Sequence, residues 1–310
     1  MKKDIIKKIL NDIPLINNHK KVFKINKGWS KDEKYYIENE IGKKFLLRIC
    51  DIEYYNVKKK EFMIMKKVYN LDINMSKPID FGKCYNNKYV YLLLSWIEGT
   101  SVNEIINLLS EKEQFNLGIK AGLILKKFHS ILPSHKQEDW EQKMLKKFKR
   151  HLDKYKSCGI KVPHDYLALE YINENLHLLK NRPQTFQHGD FHIGNFILTS
   201  NNTLGIIDFN RWDYGDPYED LYKIMLFTRE FSIPFAIGQI QGYFLDKIPE
   251  DFFKILALYI ADVILFSVAW AIPFGKEEVK AMLKRAEIIF SDYEYFNSVI
   301  PNWFNIKKYK

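Results

Sequence analysis

Asp190, Asn195 and Asp208 are the residues whose types and spacing suggest chemistry. The first two lie in the run His188-Gly189-Asp190-Phe191-His192-Ile193-Gly194-Asn195, the third in Ile206-Ile207-Asp208-Phe209. Between them, Phe196–Thr199 and Leu204–Ile207 are apolar and flank Ser200-Asn201-Asn202, a pattern that predicts a hairpin. A hairpin returns the chain to its start, so Asp208 is expected close to Asn195, with Asp190 nearby. Mg²⁺ is a hard cation that takes carboxylate, amide oxygen and water, which suits Asn195 and Asp208. A separate carboxylate, Asp190, then suits the base that orients an attacking hydroxyl and accepts its proton. The five-residue offset from Asp190 to Asn195 equals that between base and asparagine in the kinase catalytic loop. Two plainer readings stand beside this one. Asp and Asn are common in turns and caps. His188-x-Asp190-x-His192 could be a metal-hydrolase cluster, although no further His is near and the Asp208 hairpin would then be unexplained. The expected role for His188 is to hold the loop by hydrogen bonds.

The elements that must position these residues fall into two kinds. Residues 4–13 alternate apolar and charged positions at helical spacing. Val22–Asn26, Lys34–Glu38 and Lys44–Cys50 then read as strands, residues 57–70 as a helix, and Pro78–Gly82 and Lys88–Ile97 as two more strands. After Glu98-Gly99-Thr100-Ser101 helices dominate. Ser110 with Glu113 is a capping box for a helix running to His129 or Ser130. Residues 138–157 and 165–180 are expected helical, and helices return from Tyr218. Asp216-Pro217 suits a helix start, with Asp216 as N-cap. The expected division is 1–95 as a sheet domain with one helix, 96–100 as a hinge, and 101–310 as a mostly helical domain.

With both halves of the block in place, HGDFHIGNFIL followed by GIIDFNRWDYGDPYEDL resembles the aminoglycoside phosphotransferase and choline kinase superfamily. The likeness extends more loosely over most of the chain. It implies an α+β, two-lobed, protein-kinase-like fold with a small antiparallel-sheet N-lobe and a larger helical C-lobe. It further implies ATP or GTP as donor, one or two Mg²⁺ on Asn195 and Asp208, and Asp190 as catalytic base. Gly28-Trp29-Ser30 sits where that family covers the phosphates, so Ser30 is a candidate phosphate contact, though a turn residue would look the same. Arg48 replaces the usual kinase lysine, and its guanidinium can still grip phosphate oxygens. Glu61 on the next helix is its expected ion-pair partner. Ser95-Trp96-Ile97-Glu98-Gly99 resembles the hinge, where backbone groups of Ser95 and Ile97 would read the base edge. The plain alternatives are an ordinary strand arginine at Arg48 and a solvated helix charge at Glu61.

Charge is uneven. The chain carries a formal +10, all of it within residues 1–95, which hold 21 Lys/Arg and 11 Asp/Glu. Residues 181–270 hold 6 Lys/Arg and 11 Asp/Glu. A basic part suits a nucleotide triphosphate better than a nucleic acid, given the balance elsewhere. The acidic stretch favours a cationic acceptor, with Asp213, Glu219, Glu230 and Asp262 as candidate contacts. Asp262 interrupts the apolar run Ile255–Ile272, so it needs a partner. A neighbouring Arg is the preferred partner and a substrate ammonium the alternative. Aminoglycosides fit the charge. Choline would want an aromatic cage, for which Trp212, Tyr214, Tyr218, Tyr222 and Trp270 are available. A macrolide would want an apolar pocket along Ile255–Pro273. Three cysteines with no CxxC pair argue against a disulfide framework or zinc site. The apolar run reads as a core helix, not a membrane span, and the N-terminus does not read as a signal peptide, so a cytoplasmic location is expected. Three functions remain open: an antibiotic kinase, a metabolic kinase for choline, an amino acid or a sugar, and a non-catalytic binder on a kinase scaffold. Retention of Asp190, Asn195 and Asp208 disfavours the last.

Overall fold

Alternating and β-branched stretches become strands, and capped amphipathic stretches become helices. In the computed structural model, residues 3–26, 32–245 and 247–309 are described. In chain order the main elements are α1 (Lys3–Asn11), β1 (His19–Ile25), β2 (Glu33–Asn39), β3 (Lys44–Asp51), α2 (Tyr55–Tyr69), β4 (Pro78–Cys84), β5 (Tyr89–Ser95), β6 (Thr100–Ser101), α3 (Val102–Ile105), α4 (Glu111–Phe128), α5 (Trp140–Ser157) and α6 (Asp165–Asn175). They continue as β7 (Thr185–Gln187), β8 (Phe196–Leu198), β9 (Leu204–Ile206), β10 (Asp213–Gly215), α7 (Pro217–Asp220), α8 (Arg229–Phe231), α9 (Ile233–Phe244), α10 (Phe252–Ala271) and α11 (Lys276–Asp292). A π-helical turn, Ile224–Thr228, precedes α8.

Two compact units result: Met1–Thr100 with Ile197–Asn210, and Ser101–Phe196 with Arg211–Lys310. The first unit contains an antiparallel sheet of order β1-β2-β3-β5-β4. Its core joins one face of α1 (Ile9, Leu10) and the following Ile13 and Ile16 to Ile37, Leu47 and Leu93 of the sheet. The sequence reading ran the second domain unbroken from residue 101. The hairpin β8–β9 instead packs with the first unit. Met75 bridges Ile206, and the Ser76 amide donates to the Ile206 carbonyl at 3.2 Å. These backbone bonds are invisible to periodicity.

In the second unit the expected capping box at Ser110 and Glu113 is present. Helix α4 lies against α9, and α10 against α5, α6 and α11. The segment Phe252–Phe274 is long and apolar enough to cross a membrane, and 72% of its most apolar stretch is buried among other residues. The predicted helix over 165–180 ends as α at Asn175 and tightens to a 3₁₀ turn over Leu176–Leu179. The antiparallel pair β7–β10 was not anticipated, because no turn joins its three-residue strands as Ser200-Asn201-Asn202 joins β8 and β9. This pair sets residues 213–215 beside 185–187, immediately before His188.

Candidate active site

The catalytic loop is built from the second unit. Gly189 adopts φ +75°, and a Cβ there would collide with the Arg211 carbonyl, so only glycine fits. The amides of His188 and Gly189 donate to the two carboxylate oxygens of Asp220, each at 2.8 Å. The His188 ring is buried and stacks on Phe128, and its Nδ1 accepts the Asp190 amide at 3.2 Å. This is the loop-holding role expected of it. The loop closes in a 3₁₀ turn, Ile193–Asn195, capped by His192. Asn195 Nδ2 then donates to the Asp190 carbonyl at 2.9 Å and to Asp190 Oδ2 at 3.2 Å. Its Oδ1 accepts nothing among the described residues and is available to a cation.

Asp190 sits among basic side chains. Lys223 Nζ lies 2.9 Å from Oδ1, Arg211 Nη1 3.9 Å from Oδ1, and His192 Nε2 3.7 Å from Oδ2. Burial pushes the Asp190 carboxyl up, but the nearby His192 ring and the Lys223 and Arg211 charges outweigh it and hold the group well below the usual carboxylate range. Asp190 is therefore ionised, as a base must be.

The first unit holds the other predicted residues. Asp208 follows β9 at φ +67°, a left-handed conformation that costs a non-glycine residue about 1–3 kcal/mol. Its Oδ1 is buried with no hydrogen-bond partner among the described residues, and Lys34 Nζ stands 3.6 Å from Oδ2. A buried, unpartnered carboxylate oxygen is what a bound Mg²⁺ would satisfy, so the residue fits a metal-ligand role. Arg48 donates to Glu61 Oε1 at 2.5 Å, the expected pair, and also to Asp32 Oδ2 through Nε at 2.9 Å and Nη2 at 2.5 Å. Lys58 bonds the same two carboxylates, at 2.7 Å to Asp32 and 3.0 Å to Glu61. This four-charge cluster is almost wholly buried, and among the described residues two of the five Arg48 N–H donors have no partner. Ser95 accepts the Lys77 amide on its hydroxyl at 2.8 Å and donates its own amide to the Lys77 carbonyl at 2.9 Å, so that amide is engaged in place of the expected base contact. Ile97 makes no backbone hydrogen bond among the described residues, so its amide and carbonyl remain open. Ser30 lies outside the described residues.

The four candidate acceptor contacts are already engaged. Asp213 pairs with Lys143 at 2.8 Å, Glu230 with Arg285 at 3.0 Å, and Glu219 with Lys147 and Gln187. Asp262 bonds His151 Nδ1 at 2.6 Å, which corrects the expected arginine. Its ring lies flat on Phe266, one helical turn along α10 from Asp262, where no periodicity in the sequence marks it. Burial raises the Asp262 carboxyl, partly offset by His151. Asp216 caps α7 as expected, and also binds Arg182 at 2.7 Å and Tyr259 at 2.6 Å. The aromatic candidates do not stand free as a cage: Tyr218 lies under Arg182, Trp212 packs on Tyr214, and Arg211 sits over Trp270. Lys34, Lys58, Asp32, Arg211, Asp220 and Lys223 contact the candidate residues, and sequence reasoning gave none of them a place in the site. Asp220 had a signal, in the run Gly215-Asp216-Pro217…Asp220-Leu221 that the resemblance covers and that reads as structural, and Lys58 had one in its place one helical turn before Glu61.

The sequence profile of the phosphotransferase enzyme family matches residues 22–253. The chain belongs to this family. No curated protein sequence matches it. Among solved structures, the gentamicin complex of APH(2")-IIa is similar at 17% identity and TM-score 0.65, covering 93% of this chain and 96% of that one. Aminoglycoside phosphotransferase APH(4)-Ia is similar at 14% identity and TM-score 0.69, covering 93% and 98%. The amicoumacin kinase hAmiN, in complex with AMP-PNP, Ca²⁺ and Ami, is similar at 14% identity and TM-score 0.63, covering 93% and 92%. At such identities the likeness establishes the fold, which is protein-kinase-like. Family and fold together make the chain a phosphotransferase for small molecules.

Proposed function

We propose that this phosphotransferase moves the γ-phosphoryl group of ATP or GTP to a hydroxyl of an aminoglycoside-type antibiotic in the cytoplasm. The observation that carries the transfer chemistry is the Asp190 carboxylate, ionised, oriented by Asn195 and held on a loop pinned by Asp220. In this reading Asp190 takes the acceptor's proton as its oxygen bonds to the γ-phosphorus. The bond from that phosphorus to the bridging oxygen breaks, and the nucleoside diphosphate leaves. Asp208 Oδ1 and Asn195 Oδ1 are each suited to be Mg²⁺ ligands, and the cation would neutralise phosphate charge when bound. Ile97 backbone groups would read the base, with Ser95 beside them. Arg48, braced by Glu61, would lend its two uncommitted donors to phosphate, and Ser30 would contact it as well. The acceptor class is supported by the aminoglycoside kinases among the structural relatives.

A second reading, a metabolic kinase for choline, an amino acid or a sugar, is favoured by a different observation. Asp213, Glu219, Glu230 and Asp262 all pair with basic side chains of this chain, so they do not form an uncommitted acidic site for a polyamine. Coupled release of ADP or GDP, measured with Mg²⁺ against aminoglycosides, macrolides, choline, amino acids and sugars, separates the two. Stimulation by aminoglycosides supports the first reading. Stimulation by a metabolite alone sinks it and leaves the second.

A further inference from the structure

Within the phosphotransferase reading, we propose that Lys223 is a positioning residue. Its ammonium, together with the π-helical turn that follows it, fixes the Asp190 carboxylate in the orientation from which it receives the acceptor's proton.

The argument begins with burial. The Lys223 side chain is only 4% exposed, and a buried ammonium without a counterion is strongly unfavourable. Asp190, at 2.9 Å, is the only carboxylate within salt-bridge reach of it among the described residues. Lys223 holds Oδ1, whereas Asn195 holds Oδ2 at 3.2 Å. Clamped at both oxygens, the carboxylate cannot turn without breaking a charge-assisted bond.

The helix geometry supplies a second, independent observation. Asp220 receives the His188 and Gly189 amides, and Lys223 lies three residues further on. The chain then enters the π turn over Ile224–Thr228. In an ordinary helix of 3.6 residues per turn, positions 223 and 228 would diverge to different faces. Bonding from i to i+5 brings residues five apart onto one face. Thr228 Oγ1 accordingly accepts the Ile193 amide at 3.3 Å. The Phe227 ring packs on His192 at 4.8 Å and lies 5.2 Å from the Lys223 ammonium. One stretch, residues 220–228, therefore touches His188, Gly189, Asp190, His192 and Ile193. The π turn sets the register that lets a single helical segment grip both ends of the catalytic loop.

Lys223→Met keeps the stem and removes the charge, Lys223→Arg keeps the charge, and both are compared with the wild-type chain. Crystal structures provide a readout that does not need activity. The Asp190 carboxylate should leave its orientation in Lys223→Met, with the His188 and Gly189 amides still on Asp220, and should keep it in Lys223→Arg. Turnover of Mg-ATP and Mg-GTP, with water as acceptor, provides the kinetic readout. A misplaced base should lower kcat by ~10²-fold in Lys223→Met. KM for nucleotide and the thermal midpoint should stay near wild type, and Lys223→Arg should recover most of kcat. An unmoved Asp190 in Lys223→Met, an unchanged kcat, or equal losses in both variants with a fall in thermal midpoint would each overturn the proposal. If the wild-type chain turns over no nucleotide with water or with any acceptor of the panel, the phosphotransferase reading fails by itself, and the crystallographic comparison still decides whether Lys223 positions Asp190.

Discussion

Asp220 shows how much a single buried carboxylate does here. Two backbone amides and His129 converge on it, and its removal would free the start of the catalytic loop. Burial pushes the Asp220 carboxyl up, but the His129 hydrogen bond, the nearby His129 and His188 and the His188 amide bring it below its usual 3.8. A depressed folded-state pKa means the native chain binds fewer protons than the unfolded one. Its contribution is therefore complete above pH 3.8 and is lost as pH falls from there through the folded value. Asp220→Asn should cost about 2–4 kcal/mol at pH 7, from two charge-assisted bonds weakened in a dry site. The gap between wild-type and variant thermal midpoints, followed from pH 7 down to about pH 3, should shrink only below the ordinary carboxylate range near pH 4. A gap that stays constant to pH 3 would assign Asp220 no charge-dependent role. Asp190, Asn195 and Asp208 were legible in the sequence because loop and hairpin spacing mark them. The Arg48–Glu61 pair was legible through the resemblance. Lys223 and the Asp32–Lys58 half of the Arg48 cluster were not, since their partners lie 33 and 16 to 26 positions away along the chain.

At the scale of elements, α4 and α9 pack backbone against backbone. Gly118 and Gly122 face Gly238 and Gly242, and a Cβ on any of the four would run into a backbone carbonyl oxygen of the opposite helix. Each helix carries the glycines four apart, so the contact forms one continuous seam. Because backbone atoms cannot rotate away, Gly238→Ala should destabilise the chain by about 2–3 kcal/mol or more, an overpacking penalty at the upper end of its range. The urea midpoint of unfolding reads this directly, and a loss below about 0.5 kcal/mol, as at an unremarkable surface site, would contradict the packing. The sequence announced α4 through its capping box and apolar period, but not what it packs against. A glycine pair in a helix reads locally as a weakness of about 1 kcal/mol per residue, and only the partner helix turns it into a requirement. The π turn is hidden for a related reason, since one extra residue per turn leaves the composition of Ile224–Thr228 ordinary.

For the molecule as a whole, the sequence reading of a basic sheet unit and a mixed, mostly helical unit holds for the elements of each. It fails for the hairpin β8–β9, which carries Asp208 into the first unit. Asp208, Lys34 and the Arg48 cluster lie in the first unit, and Asp190, Asn195 and Lys223 in the second. Under the proposed roles, nucleotide binding and phosphoryl transfer should be separable. The most direct test compares the wild-type chain with Asp190→Asn, an isosteric change that removes the proposed base and keeps its size. Mg-nucleotide affinity is measured by calorimetry and turnover by coupled nucleoside diphosphate release, with whichever acceptor stimulates the wild-type chain. The account predicts nucleotide affinity within about threefold of wild type and a kcat lower by ~10²–10⁴-fold. Turnover in Asp190→Asn close to that of the wild-type chain would contradict it.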